Sequence, residues 1–202
     1  MVIAHGADPA VNTRAAIDRL GGMARFVGAE DVVVIKPNIG WERNVEQAAN
    51  THPAVVAEVT RACLEVGPQR VIVCDCPVSN PQRAFERSGI LEAATEVGAE
   101  VIMPHESTYN TVMLSERLGT WDVLEPFVVA TKLINVPVAK HHNLSGTTAG
   151  MKNWIGITGK FRGMFHTNLQ RTIAELSALM RPTLTVVDAS RVLMDTGPEG
   201  GS

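Results

Sequence analysis

The fold of this chain is decided by residues 31–75, DVVVIKPNIGWERNVEQAANTHPAVVAEVTRACLEVGPQRVIVCD. The runs VVVI at 32–35 and VIV at 71–73 are short, continuous and β-branched, which is typical of strands covered on both faces. Between them, residues 53–66 place Val55, Val59 and Cys63 on one face of a helix. A strand, a helix and a second strand in this order predict a parallel βαβ unit.

The same alternation extends through the rest of the chain. Strands are predicted at residues 2–5, 31–36, 70–75, 100–103, 131–138 and 183–188, and helices at 10–20, 53–66, 81–87, 91–97, 145–154 and 168–180. Thr167 and Gln170 form a capping-box pattern that predicts the last helix start near Asn168. The alternation of strands and helices is less regular over residues 104–121, which predicts a loop or a small hairpin there. We therefore expect a single α/β domain over residues 1–202, with a mainly parallel sheet and helices on both faces.

The composition is that of an ordinary globular protein without a strong overall charge. Of the 202 residues, 45% are hydrophobic and 19% are charged, and the net charge is -3. This balance gives no electrostatic footprint for nucleic acid or an anionic membrane, and 4% aromatic residues leave little for base stacking. Apolar runs are far shorter than the roughly 20 residues of a membrane helix. We expect no nucleic-acid or membrane partner, so any anion binding must be local.

The first ten residues, MVIAHGADPA, contain no basic segment followed by a long apolar one. The sequence as given therefore has no export signal, which predicts a cytoplasmic protein. A signal removed from a longer precursor would instead make the protein an exported one.

Three cysteines are too few and too oddly spaced for a disulfide scaffold. Cys63 lies on the apolar face of the predicted helix and is expected in the core. Cys74 and Cys76 flank Asp75 and point to one face of a strand, where two thiols one residue apart make a poor chelate. Without CxxC or CxxH spacing, no iron–sulfur cluster is expected in this chain.

Polar side chains end the predicted strands, where open parallel sheets bind their ligands. They are Lys36 and Asn38 after the first run, Asp75 after the second, Lys140, His141, His142 and Asn143 after the strand at 131–138, and Asp188 at the end of the last strand. An unpaired lysine is costly to bury after an apolar run. Lys36 is therefore expected to reach the rim, where it meets either a structural carboxylate, Asp75 or Asp188, or a ligand.

The segment KHHNLSGTTAGMKNW at 140–154 adds a candidate anion site. Ser145 is predicted to cap a helix over 145–154, which would leave the N–H groups of residues 146–148 free to hold an anion. Thr148 and Lys152 lie four residues apart and would face the same ligand. An ordinary capped helix explains these residues equally well. Walker, GxSxG and GxGxxG motifs are missing from the sequence.

Histidines are the candidates for proton transfer, because only this side chain has an unperturbed pKa near neutrality. His141 and His142 follow a strand, and His166 precedes a helix whose N-terminal dipole favours a neutral ring that can act as a base. His141, His166 and Asp188 could together hold a metal, although no two of them have HxH or HxxxH spacing.

Several ordered motifs resemble the prokaryotic family called domain of unknown function 362. They are VVVIKPNIGW at 32–41, LINVPVAKHH at 133–142, TTAGMKNWIGI at 147–157, FHTNLQRTIAEL at 165–176 and PTLTVVDASRVLMDTGPEGG at 182–201. The resemblance covers nearly the whole chain, and it implies an α/β fold but no established reaction. It draws attention to Lys36, Asn38, Lys140, His141, Lys152, Asn153, His166 and Asp188.

The family resemblance also implies a wider context. Many members carry an attached ferredoxin-like iron–sulfur module, which this sequence lacks. The family's usual sequence continues into another α/β portion after the GP-x-GG turn, so we expect this chain to be a fragment of a longer one. A looser similarity to the nickel-pincer lactate racemase group hints at hydroxy-acid chemistry.

These observations predict a cleft that binds a small anionic metabolite and can perform acid/base chemistry. Its expected catalytic residues are His141, His166 and Lys152, and its expected ligand contacts are Lys36, Asn38, Lys140, Ser145, Thr148, Asn153 and Asp188. The alternative is a non-catalytic binding or electron-transfer accessory module that works with an iron–sulfur partner. A homo-oligomer and a complex with an iron–sulfur protein both stay open.

Overall fold

The computed structural model describes residues 1–159 and 162–200, and a five-stranded parallel sheet lies at its centre. In spatial order its strands are β3 (Glu100–Ile102), β2 (Arg70–Cys74), β1 (Val32–Pro37), β6 (Lys132–Val136) and β9 (Leu184–Thr185). Every ladder in this sheet is parallel. The prediction of an α/β fold is confirmed.

Helices cover both faces of this sheet because side chains alternate along each buried strand. Val33 and Ile35 of β1 enter one core, whereas Val34 enters the other. The first core takes its helical residues from α1 (Pro9–Arg19), α2 (Pro53–Val66), α3 (Pro81–Arg87) and α4 (Ile90–Glu96). The second takes them from α5 (Glu125–Val129) and α6 (Leu169–Met180).

A hairpin packs over the second core. Its strands, β4 (Tyr109–Ser115) and β5 (Gly119–Leu124), pair in antiparallel fashion, and Gly119 adopts a positive φ of 72° at the turn. The hairpin contributes Leu114, Val123 and Leu124 to the buried residues. Of the two structures predicted for residues 104–121, the hairpin is therefore correct.

Pro137 divides the strand predicted over residues 131–138. Because proline has no N–H to donate to a ladder, it ends a central strand. The chain leaves the main sheet there and continues as β7 (Val138–His142) in a second sheet, between β10 (Asp188–Leu193) and β8 (Gly146–Thr148). The polar residues that follow β6 in sequence lie in this second sheet, which places them near the carboxyl end of β1.

Two predictions around the second sheet are wrong. The helix expected over residues 145–154 is replaced by β8, which pairs with β7, and by a 3₁₀ helix, Lys152–Ile157. Gly146, with a φ of 75°, and two β-branched threonines favour strand pairing over a helix here. Asp188 begins β10 instead of ending a strand, because the expected strand over 183–188 is split between the two sheets.

Two predictions of local structure are also wrong. Residues 2–5 form no strand, because this stretch has no strand to pair with and is largely exposed. The capping box at Thr167 and Gln170 does not form: Asn168 is the N-cap of α6 and makes no side-chain cap hydrogen bond. Thr167 donates its hydroxyl to the carbonyl of Met164 instead, although the helix does begin where it was expected.

Within the residues that the structure describes, no helix combines the length and the apolar character needed to cross a bilayer.

Candidate functional site

A cavity of about 390 Å³ lies where the main sheet meets the second sheet. The carboxyl ends of β1 and β2 line it together with β7, β8 and the 3₁₀ helix that begins at Lys152. Seven of the ten predicted site residues line this cavity: Lys36, Asn38, Lys140, Thr148, Lys152, Asn153 and His166.

The floor of the cavity is a buried ion pair between Lys36 and Asp75. Lys36 Nζ lies 2.6 Å from Asp75 Oδ1, and the two residues are 1% and 2% exposed. Asp75 also accepts hydrogen bonds from the backbone N–H groups of Ile39 at 2.6 Å and Cys76 at 2.9 Å. A buried pair is tolerated when further hydrogen bonds satisfy its remaining groups. Of the partners predicted for Lys36, Asp75 is therefore the one it meets.

Asn153 connects this ion pair to the second sheet. Its Oδ1 accepts from Lys36 Nζ at 3.2 Å and from Asn38 Nδ2 at 3.0 Å. Its Nδ2 donates to Asn135 Oδ1 at 2.8 Å and to the carbonyl of Lys36 at 3.2 Å. Asn153 is 4% exposed, and a buried amide with all these partners has one defined orientation. It therefore holds the strand ends in register with the 3₁₀ helix.

Gly156 lets the 3₁₀ helix pass directly over the ion pair. A Cβ at this position would collide with Asp75 Oδ1 and would lie 2.8 Å from Lys36 Nζ. The backbone carbonyl of Gly156 also accepts a hydrogen bond from Cys76 N at 2.9 Å. Only a residue without a side chain fits this close approach.

Lys140 is buried but fully hydrogen-bonded. Its ammonium donates to Asn38 Oδ1 at 3.1 Å, to the carbonyl of Ala49, and to the carbonyl of Pro198 at 2.9 Å. Burial, followed by the nearby charge of Lys152, lowers the pKa of Lys140 to about 7. The three acceptors favour the charged form and use all three protons of the ammonium. Lys140 therefore connects β7 to Asn38, Ala49 and Pro198 in the cavity wall.

Lys152 and Arg162 present the remaining positive charge to the cavity. In the described part of the chain, Lys152 has no hydrogen-bond or ion-pair partner, and Arg162 donates only to the carbonyl of Cys76. Burial, followed by the charges of Arg162 and Lys36, lowers the pKa of Lys152 to about 8. These two side chains can therefore meet an anion directly.

Two histidines line the cavity, His142 and His166. His142 Nδ1 accepts from the N–H groups of Leu144 at 3.0 Å and Ser145 at 3.4 Å, so the neutral ring carries its proton on Nε2. Burial, followed by the charge of Lys152, lowers the pKa of His142 to about 4. His166 is exposed at the rim, with Nδ1 lying 3.3 Å from the carbonyl of Gly163.

The other three predicted residues lie outside the cavity lining. Asp188 accepts from the backbone N–H of His52 at 2.8 Å, so its charge stabilises the N-terminus of α2. Ser145 donates its hydroxyl to the carbonyl of Thr147 at 2.8 Å. His141 Nδ1 accepts from Gly197 N at 3.1 Å. Each of these side chains has a structural partner.

The suggested metal set therefore does not converge. In residues 1–159 and 162–200, no three His, Cys, Asp or Glu side chains are grouped so that they could hold a metal ion.

The segment 195–200, which we call the strap, closes one side of the cavity. His141 and Lys140 hold it through Gly197 N and the carbonyl of Pro198. Arg43 holds it through Glu199, whose Oε1 lies 2.8 Å from the guanidinium. Pro198 and Glu199 line the cavity.

Sequence reasoning chose His141 over His142 and did not select Arg162. Residues 138, 140 and 142 share one face of β7, so Lys140 and His142 point the same way and His141 points the other way. Extending the predicted strand from 138 to 142 would have revealed this alternation. Arg162 begins a second 3₁₀ helix, Arg162–Asn168, and no local pattern places it beside the end of β2.

The cysteines do not fit an iron–sulfur cluster. Cys63 lies in the core on one face of the main sheet, whereas Cys74 and Cys76 lie in the core on the other face. Burial raises the pKa of Cys63 and of Cys76 to about 12. All three are free thiols; Cys63 and Cys74 pack as small apolar residues, whereas Cys76 Sγ also lies 3.5 Å from the Tyr109 hydroxyl oxygen.

Fold and cavity together define an α/β protein with a cation-lined pocket at the carboxyl ends of its parallel strands. The chain belongs to the family Domain of unknown function (DUF362), whose family model matches residues 33–202. It is similar to Thylakoid-associated protein sll1697 of Synechocystis sp., with 25% identity over 197 residues. The match covers 93% of this chain and 60% of that protein, so the chain spans less than two thirds of this relative's length.

Proposed function

We propose that the cavity binds a small anionic metabolite and supports acid/base chemistry on it. The observation that carries this proposal is an excess of positive charge in a concave, largely buried space. Cavities of a few hundred Å³ with a few placed polar groups are typical of small-molecule sites.

The charges around the cavity do not cancel within the described residues. Of the two lining carboxylates, Asp75 is paired with Lys36, and Glu199 is paired with Arg43 outside the cavity. Lys140, Lys152 and Arg162 have no carboxylate partner. Desolvated cations without counter-ions raise the free energy of the empty site, and an anion between Lys152 and Arg162 would relieve this cost.

The histidines supply the acid/base part of the proposal. His142 is neutral at physiological pH and offers Nε2–H to the cavity as a hydrogen-bond donor. His166 lines the rim of the cavity and is exposed to solvent. A donor inside and an exchangeable imidazole at the entrance suit a reaction that moves a proton on a bound anion.

Isothermal titration calorimetry with phosphate, malonate and pyruvate tests the proposal, supported by thermal unfolding of the same mixtures. Lys152→Met and Arg162→Met each remove one unpaired cation, and each should weaken binding by about 10-fold or more, since a charge-assisted hydrogen bond contributes about 1.5–3 kcal/mol. Lys132→Met is the matched control, because Lys132 begins β6 and does not line the cavity.

Selective loss in the two cavity variants supports the proposal. The proposal is wrong if none of the three anions binds the parent protein, or if Lys132→Met weakens binding as much as the cavity variants do.

A further inference from the structure

The three cavity lysines differ in one respect: the atoms that their ammonium groups contact. Lys36 Nζ donates hydrogen bonds to Asp75, to Asn153 and to the carbonyl of Pro37. Lys140 Nζ donates hydrogen bonds to three oxygen acceptors. Lys152 Nζ has no such partner in the part of the chain that the structure describes, although it is partly buried and lines the same cavity.

From this contrast we infer that Lys152 is an amine nucleophile, which forms an imine with the carbonyl carbon of a small 2-oxo acid bound in the cavity. The inference rests on the proposed function, since it names the substrate class of the same site. It goes beyond charge compensation, because it assigns Lys152 a covalent role.

An amine nucleophile must be neutral to attack, and the surroundings of Lys152 favour the neutral form. Arg162 and Lys36 place positive charge near its ammonium, and burial removes part of its hydration. Neighbouring cations and desolvation are the two means by which proteins activate lysine for attack on carbonyl carbons. With a pKa of about 8, Lys152 is about half neutral at pH 8. An ordinary solvated lysine is neutral only to roughly one part in 100 or less at that pH.

The neighbours of Lys152 favour a carbonyl compound that also carries a carboxylate. The Arg162 guanidinium has no carboxylate partner among the described residues, so it can bind a carboxylate through two parallel hydrogen bonds. Lys152 would then meet the adjacent carbonyl carbon. Ile155 and Trp41 provide apolar surface for a short side chain of the acid. A 2-oxo acid combines these three features.

The covalent step needs no oxidant or metal. The neutral amine of Lys152 attacks the carbonyl carbon, a proton moves from nitrogen to the former carbonyl oxygen, and a carbinolamine results. This hydroxyl leaves as water when a proton is delivered to it, and the nitrogen lone pair forms the C=N bond. His142 Nε2–H can stabilise the oxygen during attack, and His166 can deliver the proton.

The test is reductive trapping of the full chain with pyruvate and sodium cyanoborohydride at pH 8, followed by intact mass and peptide mapping. We expect one reduced pyruvate adduct per chain, on Lys152, formed at least about 10-fold faster than on other lysines because of its larger neutral fraction. Lys152→Arg keeps the charge but removes the nucleophile, and it should abolish this adduct. Lys132→Arg should leave it unchanged. Circular dichroism verifies that both variants fold.

A second measurement separates this inference from the proposed function. Malonate carries carboxylates but no ketone, so it should protect Lys152 from trapping by at least about 10-fold at 10 times its Kd, by simple competition. If pyruvate binds by calorimetry but no adduct forms on Lys152, the inference is wrong and the proposed function stands. If pyruvate does not bind and labelling is equal at Lys132 and Lys152, the covalent role is also wrong.

Discussion

Asp75→Asn is the sharpest test of how this site is held together. The substitution removes the only carboxylate that contacts Lys36 Nζ among the described residues, while keeping the shape of the side chain. Lys36 is 1% exposed, so little water reaches its ammonium to replace the lost partner. The ammonium keeps two neutral acceptors, Asn153 Oδ1 and the carbonyl of Pro37, both at 3.2 Å. An uncompensated charge then stays buried.

The expected size of the effect follows from this burial. Removing one member of a buried ion pair costs about 3–5 kcal/mol, because the remaining charge is desolvated without compensation. In the parent protein, the N–H groups of Ile39 and Cys76 each donate to a carboxylate oxygen of Asp75. In the variant, the NH₂ group of the new amide faces one of these two donors, so that hydrogen bond is lost. Since domains are typically stable by about 5–15 kcal/mol, the variant should lose a large share of its stability.

Equilibrium unfolding in guanidinium chloride, followed by tryptophan fluorescence and circular dichroism, measures this loss. The midpoint should fall while the slope of the free energy with denaturant stays constant. Asp18→Asn is the matched control, because Asp18 is exposed in α1, and its effect should stay within about 0.5 kcal/mol. The double variant Lys36→Met/Asp75→Asn should be more stable than Asp75→Asn by about 1–3 kcal/mol, since it no longer buries a charge.

Two results would refute this reasoning. One is a loss of less than about 1 kcal/mol in Asp75→Asn, which is the size expected for an ordinary neutral hydrogen bond. The other is a double variant that is no more stable than the single one, which would mean that the charge of Lys36 does not matter.

Three further outcomes are expected. Gly156→Ala should lower the free energy of unfolding by about 1–3 kcal/mol, because its methyl group overlaps the buried ion pair, whereas Gly163→Ala meets no atom within 4 Å and should change little by the same denaturation assay. Stability should rise with pH from about 7 to 8.5, because Lys140 and Lys152 have depressed pKa values in the folded state and the unfolded chain therefore binds more protons; above about pH 9 the buried Cys63 and Cys76, whose pKa values are raised, oppose this rise. In Lys152→Met, this slope should fall by up to about 1.4 kcal/mol per pH unit between pH 8 and 10, as measured from urea midpoints, and an unchanged slope would contradict the assignment. His141→Ala should speed amide hydrogen exchange in the strap, and equal protection in the parent and the variant would show that His141 does not hold it.

Local sequence patterns were sufficient for much of the main sheet. The helix over residues 53–66 was predicted with its observed bounds, because apolar spacing and an initial proline act within one segment. The strand VVVI was likewise found within a residue or two at each end. The split at Pro137 and the strand β8 were missed, since both depend on partners in a second sheet that no short window reveals.

The sequence by itself determined that this chain builds a buried parallel sheet and gathers polar groups where the strands end. Continuous β-branched runs can be buried only between two covering layers, and the strand ends are the first positions at which lysine, asparagine and aspartate can meet the rim. Tertiary structure alone decided which of these groups serve the cavity. It paired Lys36 with Asp75, 39 residues away, and turned His141 toward the strap. It also brought Arg162 beside Lys152. The distances between charged groups set the pKa and the partner of each group. These distances follow from strand order and register, which are not local properties of the sequence.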